Sequence, residues 1–168
     1  MLDEADHDLE GDAPLQMLER YFAAHGWPCE HHDDEITANV KGSWTEYELR
    51  ALWREEDSVL QFLAFPDVRV AEDRRAAIHE TLALVNEQLW VGHFELWSAS
   101  GILLYRNAAM VDARDDEPVM SLAAAELLVE SAIDECERFY PVFQFVLWGG
   151  KTPREAIAAA MVETQGEA

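Results

Sequence analysis

His93 and Glu95 are the two residues of this chain best spaced to share a reaction. They stand two apart in a segment that alternates like a strand, so both side chains fall on one face. An imidazole beside a carboxylate can act as a general base and its orienting partner. It would suit a small hydrolase or a ligand-binding enzyme, with the His31-His32 region as a further contributor. No serine, cysteine or threonine stands out beside the pair as a nucleophile. The richest run of ligand-type residues is His31-His32-Asp33-Asp34-Glu35, just after Cys29. Consecutive residues of a strand or turn point in different directions, and a zinc site draws spaced ligands from separate elements. The run therefore reads as a solvated turn before a strand. Gly149-Gly150-Lys151-Thr152 looks like the end of a phosphate loop, but that pattern needs its first glycine where Phe145 stands. Thr152-Pro153-Arg154-Glu155 reads instead as a capping box that opens a last helix. Cys29 and Cys136 belong to no CxxC pair, and Cys136 falls on the inward stripe of a helix, the setting of an inert thiol. The expectation is a protein without catalytic, metal-binding or cofactor-binding residues, the His93/Glu95 enzyme being the alternative.

The aromatic run around Phe139, Tyr140, Phe143, Phe145 and Trp148 is denser than one helix face needs. It either closes the end of the core or offers an apolar docking surface to a partner or a second copy. These five residues are the candidate protein-binding surface.

The whole chain favours binding over chemistry. Its 168 residues make one ordinary domain, and 49% hydrophobic residues with six tryptophans supply a real core. Thirty-four acids against twelve bases give a net charge of −22. Such a surface repels phosphate backbones and anionic headgroups, which excludes nucleic acid and membrane as ordinary partners and favours a basic protein. Two other uses of the acidity compete: imitation of a nucleic acid, and plain solubility or salt habitat. The N-terminus is acidic where a signal peptide is basic and then apolar, and no apolar run approaches the ~18 residues of a membrane span. The expected compartment is the cytoplasm, with both thiols reduced.

The elements that must position these residues follow from periodicity. Residues 1–13 are acidic without a base and read as a disordered tail. A helix opens at Pro14 and stops near His25-Gly26. Alternation predicts strands over 36–41, 47–54 and 59–65, the last ended by Pro66-Asp67. Ile78, Leu82, Val85 and Leu89 place a helix over 72–90. A hairpin follows at 94–106 around Ser98-Ala99-Ser100-Gly101, then a charged loop at 112–117. A long helix runs from Ser121 to Tyr140, where Pro141 breaks or restarts it. The last helix ends near Glu163, and residues 164–168 fray. The domain is α+β over 14–163, an antiparallel sheet with helices packed on a face and a C-terminal helical extension.

Two strings in this frame resemble a known family. Asn86-Glu87-Gln88-Leu89-Trp90-Val91-Gly92-His93-Phe94-Glu95-Leu96-Trp97 looks like the middle signature of the YbjN-domain proteins. Glu135-Cys136-Glu137-Arg138-Phe139-Tyr140-Pro141 through Phe145-Val146-Leu147-Trp148-Gly149-Gly150-Lys151 is similar to the C-terminal signature of one branch of it. The resemblance implies a bacterial sensory-transduction regulator with a fold similar to type III secretion chaperones. Those chaperones are small, acidic, usually dimeric binders of unfolded client segments, with the core order helix–three strands–helix–two strands–helix. It carries over no catalytic residue. The function expected is a chaperone-like or regulatory adaptor that binds a protein, with a homodimer as the assembly the resemblance allows.

Overall fold

Tyr47, Leu49 and Ala51 alternate with Glu46, Glu48 and Arg50, and that period of two sets the architecture. A computed structural model of the chain describes residues 11–114 and 117–165, the side chains of 114 and 162–165 aside. The helices are α1 (Pro14–Ala24), α2 (Arg75–Asn86), α3 (Leu122–Leu147) and α4 (Pro153–Gln165). The strands are β1 (Cys29–His32), β2 (Glu35–Lys41), β3 (Glu46–Arg54), β4 (Val59–Arg69), β5 (His93–Trp97) and β6 (Ile102–Met110). They form one six-stranded sheet in the order β1-β2-β3-β4-β6-β5, antiparallel at every pairing. A separate small hairpin joins β7 (Ala113–Arg114) to β8 (Glu117–Pro118) within the charged loop.

The helices cover one face of the sheet. Ile36, Ala38, Tyr47, Leu49, Ala51, Leu60, Phe62, Leu103, Tyr105 and Phe94 point into that layer and are buried. The helices answer with Leu18 and Phe22 of α1, Ile78 and Val85 of α2, and Val129, Ala132, Cys136, Phe139 and Phe143 of α3. Thus the α+β class and the antiparallel sheet under helices are as the sequence implies. The helix ends also use the residues read as caps. Gly26 takes a φ of 70° just past α1. The Thr152 amide donates to Glu155 Oε2 at 3.0 Å, and the Glu155 amide donates to Thr152 Oγ1 at 3.3 Å, a closed capping box.

The sequence-based boundaries need correction at several places. Cys29–His32 is an edge strand, and only Asp33-Asp34 turn, with Asp33 at φ 49°. Strand β4 does not end at Pro66-Asp67. It continues to Arg69 through a bulge between Ala64 and Val68, where a proline costs no ladder bond. Helix α2 stops at Asn86 because that side chain turns back to bond the backbone of Phe94. The tail expected over 1–13 lies outside the described residues for 1–10. Asp12, however, exchanges backbone hydrogen bonds with Met120 at 3.0 and 2.8 Å. At the other end α4 continues to Gln165, and 166–168 lie outside the described residues.

The largest correction is Pro141, which sits inside an unbroken α3. A proline there has no N–H for the carbonyl four residues earlier, that of Glu137, and its ring pushes that carbonyl outward. The freed carbonyl accepts a hydrogen bond from the Trp44 indole N–H at 3.2 Å, and the Trp44 ring stacks on Tyr140 at 6.4 Å. The Glu137 carboxylate in turn accepts the Ser43 amide at 2.8 Å and the Tyr47 hydroxyl at 2.7 Å. Burial, and then the bond to Glu137, push the Tyr47 hydroxyl far above its ordinary range. Gly42 allows this approach: a Cβ there would come within 2.2 Å of both Glu137 Oε1 and the Tyr47 ring. One residue of α3 therefore pins the β2–β3 hairpin.

Glu137→Ala should lower stability by about 2 kcal/mol, since it orphans the buried Tyr47 hydroxyl, and Glu137→Gln should lose less. Denaturation midpoints of the two variants against wild type check this. Equal midpoints for Glu137→Ala and wild type would show that the pin carries no stability.

Candidate docking face

The second face of the sheet carries no helix among the described residues, and its side chains follow from the register. Arg50 faces Leu63 across β3 and β4, Leu63 faces Arg106 across β4 and β6, and Glu95 faces Leu104 across β5 and β6. Leu63 and Leu104 are nonetheless buried, at 3% and 0% exposure. Long neighbouring side chains do the covering here.

Those neighbours are locked to one another. Arg106 donates from Nε at 3.0 Å and Nη2 at 2.5 Å to Glu95 Oε1, and from Nη1 at 3.1 Å to Gln61 Oε1. The Trp97 indole N–H also donates to Glu95 Oε1, at 2.9 Å, and His93 Nε2 lies 3.0 Å from Glu95 Oε2. On the other side Arg50 bridges Glu35 at 3.1 Å and Glu48 at 2.7 Å, and its guanidinium lies 5.4 Å from the Phe65 ring centre. Phe65 and Trp97 meet edge to face at 5.6 Å. A depression of about 290 Å³ opens beside these rings, lined in part by Glu48, Asp67, Arg69 and Ile102. A wider one of about 540 Å³ lies over β1 to β3, lined in part by Glu30, His32, Glu35, Thr37 and Asn39.

The charge of this face differs from that of the chain. Lys41, Arg50, Arg54, Arg69 and Arg106 sit among Glu30, Glu35, Glu46, Glu48, Asp67 and Glu95, close to balance. The chain as a whole stands at −22. The excess acid lies elsewhere, as on α3, where Glu130, Glu126 and Asp134 add to burial in pushing the Tyr21 hydroxyl up.

Glu95 is a held carboxylate. Burial pushes its carboxyl up, but the bonds from Arg106, Trp97 and His93 and the charge of Arg106 together outweigh it, and the net shift is down. Its acceptor atoms are therefore engaged, which suits positioning better than proton transfer. His31 and His32 stand on the far edge strand, five strand spacings or roughly 24 Å from β5. His31 Nδ1 turns to Glu19 of α1 at 3.2 Å, and His32 lies near Glu30 on the other face. The structure thus brings His93 and Glu95 together and leaves His31 and His32 apart from them. Among the described residues no group of three or more His, Cys, Asp or Glu could hold a metal ion. Cys136 is buried, and burial, then Glu137 and Glu135, push its thiol far up.

The aromatic run is mostly not a surface, and that expectation is corrected. Phe139, Tyr140 and Phe143 are buried. Phe139 and Phe143 are four apart on the inward stripe of α3 and pack edge to face on Phe94 at 5.9 and 5.3 Å. Phe145 is half-buried under Lys151, and only Trp148, 65% exposed, is open. The residues of the open face that sequence reasoning passed over are Phe65, Trp97, Arg50 and Arg106. Their one signal is parity: each sits on the outward register of its strand.

These features define an α+β domain with a helix-covered antiparallel sheet and one open, structured face. The family model that matches residues 14–145 is YbjN, described as "Putative bacterial sensory transduction regulator". The chain belongs to the YbjN family. Among solved structures it is similar to YbjN of E. coli, described as "a putative transcription regulator", with a TM-score of 0.52 at 10% identity. That match covers 73% of this chain and 85% of the other. It is also similar to a chain of the ExsC-ExsE complex, with a TM-score of 0.46 at 17% identity over 74% of this chain and 88% of that one. No curated protein is significantly similar in sequence. No described helix is long and apolar enough to cross a membrane.

Glu95 titrates below its ordinary value of 4.5, so its contribution is present above that pH and is lost as pH falls through the folded value. Glu95→Gln lacks this contribution. Wild type should be the more stable of the two near neutral pH, and the difference in denaturation midpoint should shrink as pH drops below about 4.5. A difference that stays constant with pH would contradict it.

Proposed function

We propose that the chain is a non-enzymatic protein-binding module, a chaperone-like or regulatory adaptor, that receives its partner on the open face of the sheet. Membership of the YbjN family supports a regulatory or binding role. The observation that carries the reading is the floor of that face. Leu63 and Leu104 are buried under paired arginines and two aromatic rings rather than under an element of the fold. A sheet face is ordinarily covered by a second layer, and here a partner can supply part of that layer. The rings of Phe65 and Trp97 are the anchors, with the ion pairs setting orientation. Acidic surfaces away from this face would steer a basic partner toward the domain. The setting proposed is the cytoplasm, with 14–163 acting as one unit and a second copy of the chain as the competing occupant.

The test is affinity capture from the native host with wild type and with a Phe65→Glu, Trp97→Glu double variant whose fold is verified by circular dichroism. Wild type should recover a defined protein, and the double variant should lose at least about tenfold of it. Equal recovery by both, or nothing above background from wild type, would overturn the reading.

A further inference from the structure

The two edges of the six-stranded sheet are finished differently. At β5 the Asn86 side chain donates from Nδ2 to the Phe94 carbonyl at 3.0 Å and accepts the Phe94 amide at Oδ1 at 2.8 Å. One amide side chain thus takes both outward backbone groups of Phe94, as a partner strand would. Arg75 closes the same edge further on by donating to the Ser98 carbonyl at 2.6 Å. Edges left bare pair with other chains, and this edge is capped at Phe94 and Ser98, on either side of Leu96.

Among the described residues no such device guards β1. The Asn39 amide donates to the Pro28 carbonyl at 3.4 Å, which fixes the phase of the β1–β2 ladder. Alternation then turns the backbone groups of Glu30 and His32 toward β2 and those of Cys29 and His31 outward. Among the described residues no other element or side chain bonds those outward groups.

The surroundings of β1 select a charge. Glu30 stands on its open-face side, 3.9 Å from His32 and with Glu35 behind it on β2, and Glu19 stands on its helix side, 3.2 Å from His31. The nearby Arg50 is already shared between Glu35 and Glu48. A strand laid beside β1 would place alternate side chains against carboxylates on both faces, where cross-strand pairs with lysine or arginine are favourable. A second copy meeting β1 to β1 would instead oppose like carboxylates in two chains of net charge −22.

We propose that the free β1 edge accepts an extended, basic segment of a partner protein as a seventh strand, with Asn86 keeping the β5 edge closed. The inference rests on the protein-binding reading above and adds where and what kind of segment enters.

The experiment uses the full chain and two fluorescent decapeptides of equal charge. One alternates lysine with threonine. The other alternates lysine with proline and so lacks half of its backbone donors. Fluorescence anisotropy should give at least about tenfold tighter binding of the lysine–threonine peptide. Its amide hydrogen exchange should slow at Cys29 and His31 and stay unchanged across β5. Glu30→Lys should weaken it about fivefold, and Asn86→Ala should add protection at Phe94. Equal affinity for the two peptides would reduce the effect to net charge and overturn the proposal, as would protection at β5 in wild type. A concentration-dependent dimer with protection at Cys29 and His31 in the absence of peptide would assign the edge to a second copy and also overturn it. If a captured partner protects Phe65 and Trp97 but leaves Cys29 and His31 unchanged, the open-face reading stands and this one falls.

Discussion

Glu137 is the residue through which the helix layer and the sheet hold each other. Pro141 removes the hydrogen bond that the Glu137 carbonyl would accept within α3, a loss that in an unprepared helix costs about 3 kcal/mol or more. The β2–β3 hairpin makes good that loss: Trp44 bonds the carbonyl, while Ser43 and Tyr47 bond the carboxylate. Because α3 survives Pro141, Val142, Phe143 and Val146 continue along the sheet and are buried in the core. The Phe94 side chain then sits among Phe139, Phe143 and Tyr105, all edge to face. The C-terminal turn of α3 is closed by Arg74, which donates to the Val146 carbonyl. With the covered face settled so firmly, the sheet presents its other face as a fixed platform.

That platform is unlike the rest of the surface. The chain is strongly acidic, yet the open face carries nearly as many bases as carboxylates, with Arg50 held by Glu35 and Glu48 and Arg106 by Glu95. Paired charges over an apolar floor give orientation without strong attraction, whereas the run of Glu126, Glu130 and Asp134 on α3 gives attraction without shape. A partner steered by the second and seated on the first would use both. Trp90, 99% exposed in the loop before β5, lies apart from these features. The loop is held beneath it by Tyr105, whose hydroxyl donates to the Val91 carbonyl at 2.9 Å. Burial, and then Glu135, push that hydroxyl up to about 12.

Much of the fold was legible because its signals are local. The alternation of Tyr47, Leu49 and Ala51, the stripe of Ile78, Leu82 and Val85, and the capping box at Thr152 each need only a few neighbouring residues. The family strings are legible for the same reason. What escaped the sequence depends on distant partners. Pro141 reads as a helix break until Trp44, nearly a hundred positions earlier in the chain, is seen to satisfy Glu137. Asn86 reads as one more helical residue until Phe94 folds back beside it. The aromatic run misled for a related reason. Phe139 falls on the inward stripe of Ala132 and Cys136 even in the sequence, but an expected stop at Pro141 hides that Phe143 continues it. The open face left only parity as a signal, and parity marks a solvent face without saying what it binds.

The most direct measurement is a map of backbone and side-chain NMR shifts in the full chain as a purified partner is added. The account predicts that the perturbed residues fall on the open register of β3, β4 and β6, with the Trp97 indole and the Phe65 ring among the largest changes. Perturbations confined to the outer surfaces of α3 and α4, with Phe65 and Trp97 unmoved, would contradict it.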